Sequence, residues 1–201
     1  MESYEVEKET RESKAKAIVE FGERKELGID TGQNFLNHLI ETIAWRSCIN
    51  IGLKFESNRF RLNHVVAEDS GIVLGEAFLK AIEAKLPEGI ECFGSSYAVL
   101  DDSCSLAVVS VEGRANTFIE RLSNGSRLEN VEDMLSADLS AFLNGFAQGM
   151  KCTLRVELQK GEDPHEAWES AFRALGEALR KCFQKNEWRK GVIAGVKGKL
   201  R

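Results

Sequence analysis

The sequence predicts an α+β protein made of two copies of one strand-and-helix unit, each a small sheet covered on one face by helices. Three observations predict it. The first is an internal repeat, because His64 to Lys80 matches His165 to Lys181 at a constant offset of 101 with no gap. The pairs His64/His165, Glu68/Glu169, Leu74/Leu175, Gly75/Gly176, Glu76/Glu177, Ala77/Ala178 and Lys80/Lys181 are identical, where chance gives about one match over such a stretch. Shared helix propensity explains the leucines, alanines and lysines, but not matching histidines in a chain that has three. The second observation is helical composition in both copies. The third is a set of alternating, strand-like runs ahead of those helices.

In chain order, Ala17–Phe21 is short and β-branched, and Asn34 to Cys48 reads as a helix. Ile49–Phe55 alternates apolar and polar residues as a half-buried strand does. The repeated helix follows, with Asn63 as the expected cap. Leu106–Val111 is a continuous apolar run, so a buried strand, and Leu135 to Met150 is a further helix. Leu154–Leu158 alternates again. The second repeated helix has the sharper start, with Asp163 as N-cap, Pro164 at the first helical position and Glu166 as the acidic half of a capping box. The duplication predicts units over 8–100 and 101–201, packed as one globular domain.

Composition excludes several classes. The chain has 201 residues, 43% hydrophobic and 29% charged, as a globular protein does. A net charge of -5 offers nucleic acid or an anionic membrane no overall attraction. The basic C-terminal run of Arg189, Lys190, Lys197, Lys199 and Arg201 reads as a solvated tail. Five scattered cysteines without a Cys-x-x-Cys pair suit free thiols in a reducing cytoplasm, where the chain is expected. The acidic first ten residues lack the apolar stretch of a signal peptide, and no apolar run is long enough to span a bilayer.

The chemistry concentrates in the repeat. His64 and Glu68 lie one helical turn apart on one face, as do His165 and Glu169. An imidazole and a carboxylate so spaced can share a first-row metal ion. One such pair alone is more often a surface helix contact worth a few tenths of a kcal/mol. The repetition at equivalent places is the informative part. The third histidine is His38, within Thr31-Gly-Gln-Asn-Phe-Leu-Asn-His38-Leu.

These segments resemble the imidazoleglycerol-phosphate dehydratase family of histidine biosynthesis over nearly the whole chain. Its T-G-x-x-F-L-D-H-M looks like Thr31 to Leu39, and its H-H-T-x-E-D-x-G-I-x-L-G looks like His64 to Gly75. M-D-E resembles Leu100 to Asp102, and S-G-R resembles Glu112 to Arg114. G-x-N-x-H-H-x-x-E-A-x-F-K resembles Gly161 to Arg173, and the terminal S-T-K-G resembles Gly195 to Gly198. The resemblance implies a metal-dependent lyase that dehydrates a phosphorylated polyol. It also implies a large symmetric homo-oligomer with active sites between subunits around manganese ions. On the matching positions it implies metal ligands at His38, His64, Glu68, His165 and Glu169. Glu68, Glu169 and His38 would carry the chemistry, and Arg114, Arg173 and Lys197 would bind the phosphate.

The departures are as informative as the matches. The second histidine of each H-H pair is Val65 or Glu166, and two further histidine positions hold Arg46 and Arg155. The glutamate of the N-terminal motif is Ala15, and a phosphate-side arginine is Cys92. An arginine cannot lose its proton at neutral pH, so it cannot ligate a metal and repels one. Arg46 and Arg155 therefore either replace metal charge and bind an anion, or pair with Glu68, Glu169 or Glu166. Two functions stay open: a divergent dehydratase, or a non-catalytic relative that keeps the shell architecture and an anion-binding or structural role.

Overall fold

The computed structural model describes residues 2–121, 130–198 and 200; Lys199 and Arg201 of the basic run lie outside them. The first unit runs β1 (Glu2–Glu9), β2 (Ser13–Phe21), β3 (Ile29–Asp30), α1 (Asn34–Ser47), β4 (Asn50–Ser57) and α2 (Asn63–Lys85). The second runs β5 (Phe93–Leu100), β6 (Ser103–Ser110), β7 (Asn116–Arg121), the small hairpin β8 (Asn130–Val131) and β9 (Met134–Leu135), α3 (Ser136–Met150), β10 (Thr153–Lys160) and α4 (Pro164–Cys182).

The duplication is visible in the sheets. Their strand orders are β1-β2-β4-β3 and β5-β6-β10-β7, one topology used twice. In each, the last strand of the order runs parallel to its neighbour and the other pairings are antiparallel. The second sheet takes its edge strand from Phe93–Leu100. Its strands thus start ahead of residue 101, the division expected from the helix offset.

Every strand and helix expected from the sequence is present within a few residues. The edge strands β1, β3 and β5 and the short β7–β9 carried no clear alternation. β1 is mostly charged and buries only Val6, so its pairing partner β2 decides its state rather than its own apolar pattern. Asn63 is the first helical residue, not the cap. Leu62 stands in the capping position, and Asn63 Oδ1 instead accepts a bond from Gln33 Nε2.

α2 and α4 each cover their own unit's sheet, and the units join helix against helix. α2 packs on α3, and α1 packs on α4, one helix from each unit in both pairs. The core between them is held by Trp168, Phe78, Phe142, Phe146, Phe172 and Leu36, all less than 2% exposed. The α2/α3 crossing is made by glycines. A Cβ on Gly71 would stand 2.2 Å from the Phe142 carbonyl oxygen, and one on Gly145 would stand 2.3 Å from that of Glu68. Only glycine allows backbones so close.

The two sheets differ on the faces turned away from the helices. The first bears an ion-paired ladder, with Lys14 on Glu7, Lys16 on Glu5 and Lys54 on Glu56. On the second, Tyr97, Val99 and Phe118 are 60%, 62% and 50% exposed. Among the described residues, no helix is long and apolar enough to cross a membrane.

Candidate metal centre

The α1/α4 pair brings His38, His165 and Glu169 together. Asp163 starts α4 as expected, accepting bonds from the backbone N–H of His165 at 2.7 Å and Glu166 at 3.3 Å. That cap fixes His165 in the first turn of the helix, with Glu169 one turn further on the same face. Helix α1 is held by a different device. Asp133, in the β8–β9 turn of the other unit, accepts from the backbone N–H of Asn34 at 2.6 Å and Phe35 at 3.0 Å. A carboxylate there satisfies orphan donors and complements the helix dipole. It places His38, one turn into α1, over the start of α4.

Glu169 is the hub. His38 Nε2 lies 2.8 Å from Glu169 Oε2, and His165 Nε2 lies 3.3 Å from the same oxygen. The other oxygen accepts two bonds from Arg173, from Nε at 2.9 Å and Nη2 at 2.6 Å. Burial pushes the Glu169 carboxyl up, but the bonds from His38 and Arg173 outweigh it and hold it below its ordinary value. Phe35 closes one side, its ring 5.0 Å from that of His165.

The donor set fits a divalent ion. The three ligand atoms all lie within 4.8 Å of one another. An ion with bonds of about 2.1 Å needs donors no more than roughly 4.2 Å apart, a small contraction. Two imidazoles and one carboxylate suit first-row ions, and the oxygen favours manganese more than a sulfur set would.

The other expected residues fall into separate groups. His64 Nε2 and Glu68 Oε2 are 3.7 Å apart on the surface, and no third donor joins them among the described residues. Val65 packs against the hydrophobic core. Glu166 does not close a capping box. Partial burial and the nearby Asp101, Asp163 and Asp102 raise its pKa, so it faces an acidic cluster. Arg155 pairs with Glu120 at 2.6 Å and Glu157 at 2.7 Å, not with Glu68, Glu169 or Glu166. The cause is strand alternation: Leu154 and Val156 point to the helices, so Arg155 points to the open face of the second sheet. Arg46 lines a hollow of about 500 Å³ with His38, Glu169 and Arg173. Arg114 and Lys197 meet none of these residues in a described contact. The terminal segment that carries Lys197 passes Glu112, two residues before Arg114, since a Cβ on Gly195 would be 2.7 Å from Glu112 Oε2.

The three buried thiols, Cys92, Cys152 and Cys182, supply no nucleophile here. Burial pushes Cys92 up to about 11 and Cys152 up to about 12, and Cys182 is also raised by burial. Cys48 is exposed and Cys104 half-buried.

Comparison with known proteins agrees with this architecture. The family model for imidazoleglycerol-phosphate dehydratase matches residues 31–179. The chain belongs to that family. A relative from Aromatoleum aromaticum, named imidazoleglycerol-phosphate dehydratase, is 30% identical over 200 residues, covering all of both chains. The dehydratase of Saccharomyces cerevisiae is 33% identical, covering 87% of this chain and 78% of its own. The crystal structure of the dehydratase from Pyrococcus furiosus superposes with a TM-score of 0.78 at 25% identity, over 96% of this chain and 99% of that one.

Within this dehydratase fold, sequence reasoning missed the β8–β9 turn. Glu132 accepts a bond from His165 Nδ1 at 2.9 Å, and Asp133 caps α1. Neither residue stands in a motif; Glu132 acts within the second unit and Asp133 across the two.

Proposed function

We propose that this chain is a metal-dependent hydro-lyase that removes water from imidazoleglycerol phosphate, with Mn²⁺ as the ion. The observation that carries the reading is the convergence of His38, His165 and Glu169 on one point between α1 and α4. When bound there, the ion would supply Lewis-acid polarisation of the substrate's oxygens. Glu169 stays an ionised ligand rather than a proton shuttle, because both its oxygens are already engaged. Glu68 is the freer carboxylate, about two-fifths exposed and paired only loosely with His64; it lies apart from this centre in its own chain, so it is assigned the proton transfer at a centre that a symmetric assembly completes from another subunit. His38 is 46% exposed and faces the hollow, so it orients the substrate as well as ligating. The substrate's phosphate would meet Arg46 and Arg173 in that hollow. Arg114 and Lys197 would serve the phosphate of a site shared with another subunit.

A homo-oligomer is part of the reading. Among the described residues no third donor joins the His64/Glu68 half-site, and a symmetric assembly can complete it from a neighbour. The exposed Tyr97, Val99 and Phe118 give such an assembly an apolar face to bury. A second reading, a non-catalytic anion binder, is favoured by one observation only: Arg46 stands where a dehydratase-like histidine is expected, in the same hollow as His38.

The deciding experiment measures metal per subunit after expression with manganese, then dehydration of imidazoleglycerol phosphate before and after exhaustive chelation. The proposal expects near-stoichiometric metal and activity that chelation removes and Mn²⁺ restores. Full activity without metal would refute the metal dependence. Absent metal and absent turnover would leave the anion-binding reading in its place.

A further inference from the structure

The β8–β9 hairpin has a two-residue loop, Glu132–Asp133, between the paired Val131 and Met134. Glu132 there has φ of +51°, while Asp133 is not among the positive-φ residues. Two-residue hairpins with a positive first position ordinarily place glycine there. A glutamate in the left-handed region is strained, because its Cβ crowds the following carbonyl oxygen. Such strain persists where something else on the molecule uses the side chain.

The side chain is used. Glu132 Oε1 is 2.9 Å from His165 Nδ1. A carboxylate can only accept, so Nδ1 carries the proton. His165 Nε2 faces Glu169 Oε2 at 3.3 Å, on the cluster side. The ring is thus held at one nitrogen by a carboxylate and presented to the donor cluster by the other. Asp133, the next residue, fixes the helix that carries His38. One turn of the second unit therefore sets two of the three donors.

We infer that Glu132 is a positioning residue that fixes His165 as its Nδ1–H tautomer and aims Nε2 as a metal ligand. This rests on the metal-centre reading above. A second carboxylate behind a ligating histidine raises its basicity and orients the ring, and removing one such group costs about 10- to 100-fold in metal affinity.

The test uses Glu132→Gly and Glu132→Gln in the full-length protein. Glycine removes both the carboxylate and the strain, so the fold keeps or gains thermal stability while Mn²⁺ affinity, measured by titration calorimetry, falls about 10- to 100-fold. Glutamine keeps an acceptor for Nδ1–H and falls by less than about tenfold. A purely structural role predicts the reverse: a lower melting temperature with Mn²⁺ affinity unchanged. The second readout needs no metal. Solid-state ¹⁵N spectra of histidine-labelled, chelator-treated protein, with the His165 signal assigned from His165→Ala, should show a protonated Nδ1 in the native chain and not in Glu132→Gly. Identical His165 spectra in the two would overturn the inference whatever the metal result. If the native chain binds no Mn²⁺, the proposed function fails, and the spectra still decide the role of Glu132.

Discussion

The two cross-unit helix pairs share one frame and differ in what they hold. The left-handed residues that end α1 and α3 are Cys48 and Lys151, an offset of 103 (151 − 48), so the position of His38 recurs at Ala141. The α1/α4 pair therefore sets His38, His165 and Glu169 around one point, while α3/α2 offers His64 and Glu68 with an alanine opposite. Ala141 is 4% exposed, whereas His38 is exposed. The helix contacts differ too. α2/α3 is closed by Gly71, Gly75, Gly145 and Gly149, each with another helix's backbone where a side chain would go, whereas α4 meets α1 with Gly176 against Arg46 and Ile43. After duplication, one pair kept space for ligands and the other was used to bring backbones together.

The largest expected effect tests whether the halves differ in metal binding. His165→Ala removes one of three converging donors and should lower Mn²⁺ affinity beyond the roughly 100-fold that marks loss of a supporting group. His64→Ala should change the affinity of the α1/α4 centre by less than about threefold, since His64 makes no described contact with it. Calorimetric titration of both variants checks this. Equal losses would mean that neighbouring subunits merge the two half-sites into one centre.

The next effect concerns stability. Gly71→Ala forces a methyl group against the Phe142 carbonyl and the Phe146 amide. Helix separation is the relief, at roughly 3 kcal/mol. That lowers the thermal midpoint by roughly 6–12 °C in a chain of this size. Gly176→Ala meets a side-chain carbon first, Cβ of Arg46 at 2.6 Å, with a backbone oxygen at 2.9 Å. Its cost should be smaller, about 1–2 kcal/mol. Differential scanning calorimetry ranks the two crossings directly.

A smaller effect is pH-dependent. The folded pKa of Glu169 lies below its ordinary value of 4.5, with burial opposing and the bonds from His38 and Arg173 prevailing. A depressed carboxylate contributes stability that is fully present above its unfolded value and is lost as pH falls through the folded one. In metal-free protein, the gap between the native chain and Glu169→Gln should be constant near neutrality and shrink in acid, below pH 4.5. Urea melts across that range check it. Glu68→Gln, an exposed pair at 3.7 Å, should cost under about 1 kcal/mol at neutral pH.

How much of this was legible in the sequence follows from where each signal lives. The helices and central strands were readable because their apolar periods are local: Leu154 and Val156 alternate with Arg155 and Glu157, and α4 is capped by Asp163 within its own segment. The repeat located both His/Glu pairs. It could not say that only one pair would gain a third donor, because His38 reaches Glu169 across 131 residues. It could not place Arg155 on an open sheet face without the register against Val108 and Phe118. Glu132 and Asp133 were invisible for the same reason: their partners are His165 and the start of α1, far away in sequence.

The smallest effect sharpens the comparison most. Ala141→His restores, in the α2/α3 pair, the residue type that α1 has at the equivalent place. Alanine has no polar side-chain group, so replacing it removes no hydrogen bond, and its burial is the cost that the larger ring meets. If the missing donor is what separates the two half-sites, the variant should take up a second Mn²⁺ ion per chain, more weakly than the first. Metal analysis by mass spectrometry, with His64→Ala added as a control that abolishes only the second ion, reads this out. An unchanged stoichiometry would shift the cause from the side chain to the glycine crossing. Backbones held so close would leave the α2/α3 pair too little room for three donors to face one ion, whatever residue stands at 141.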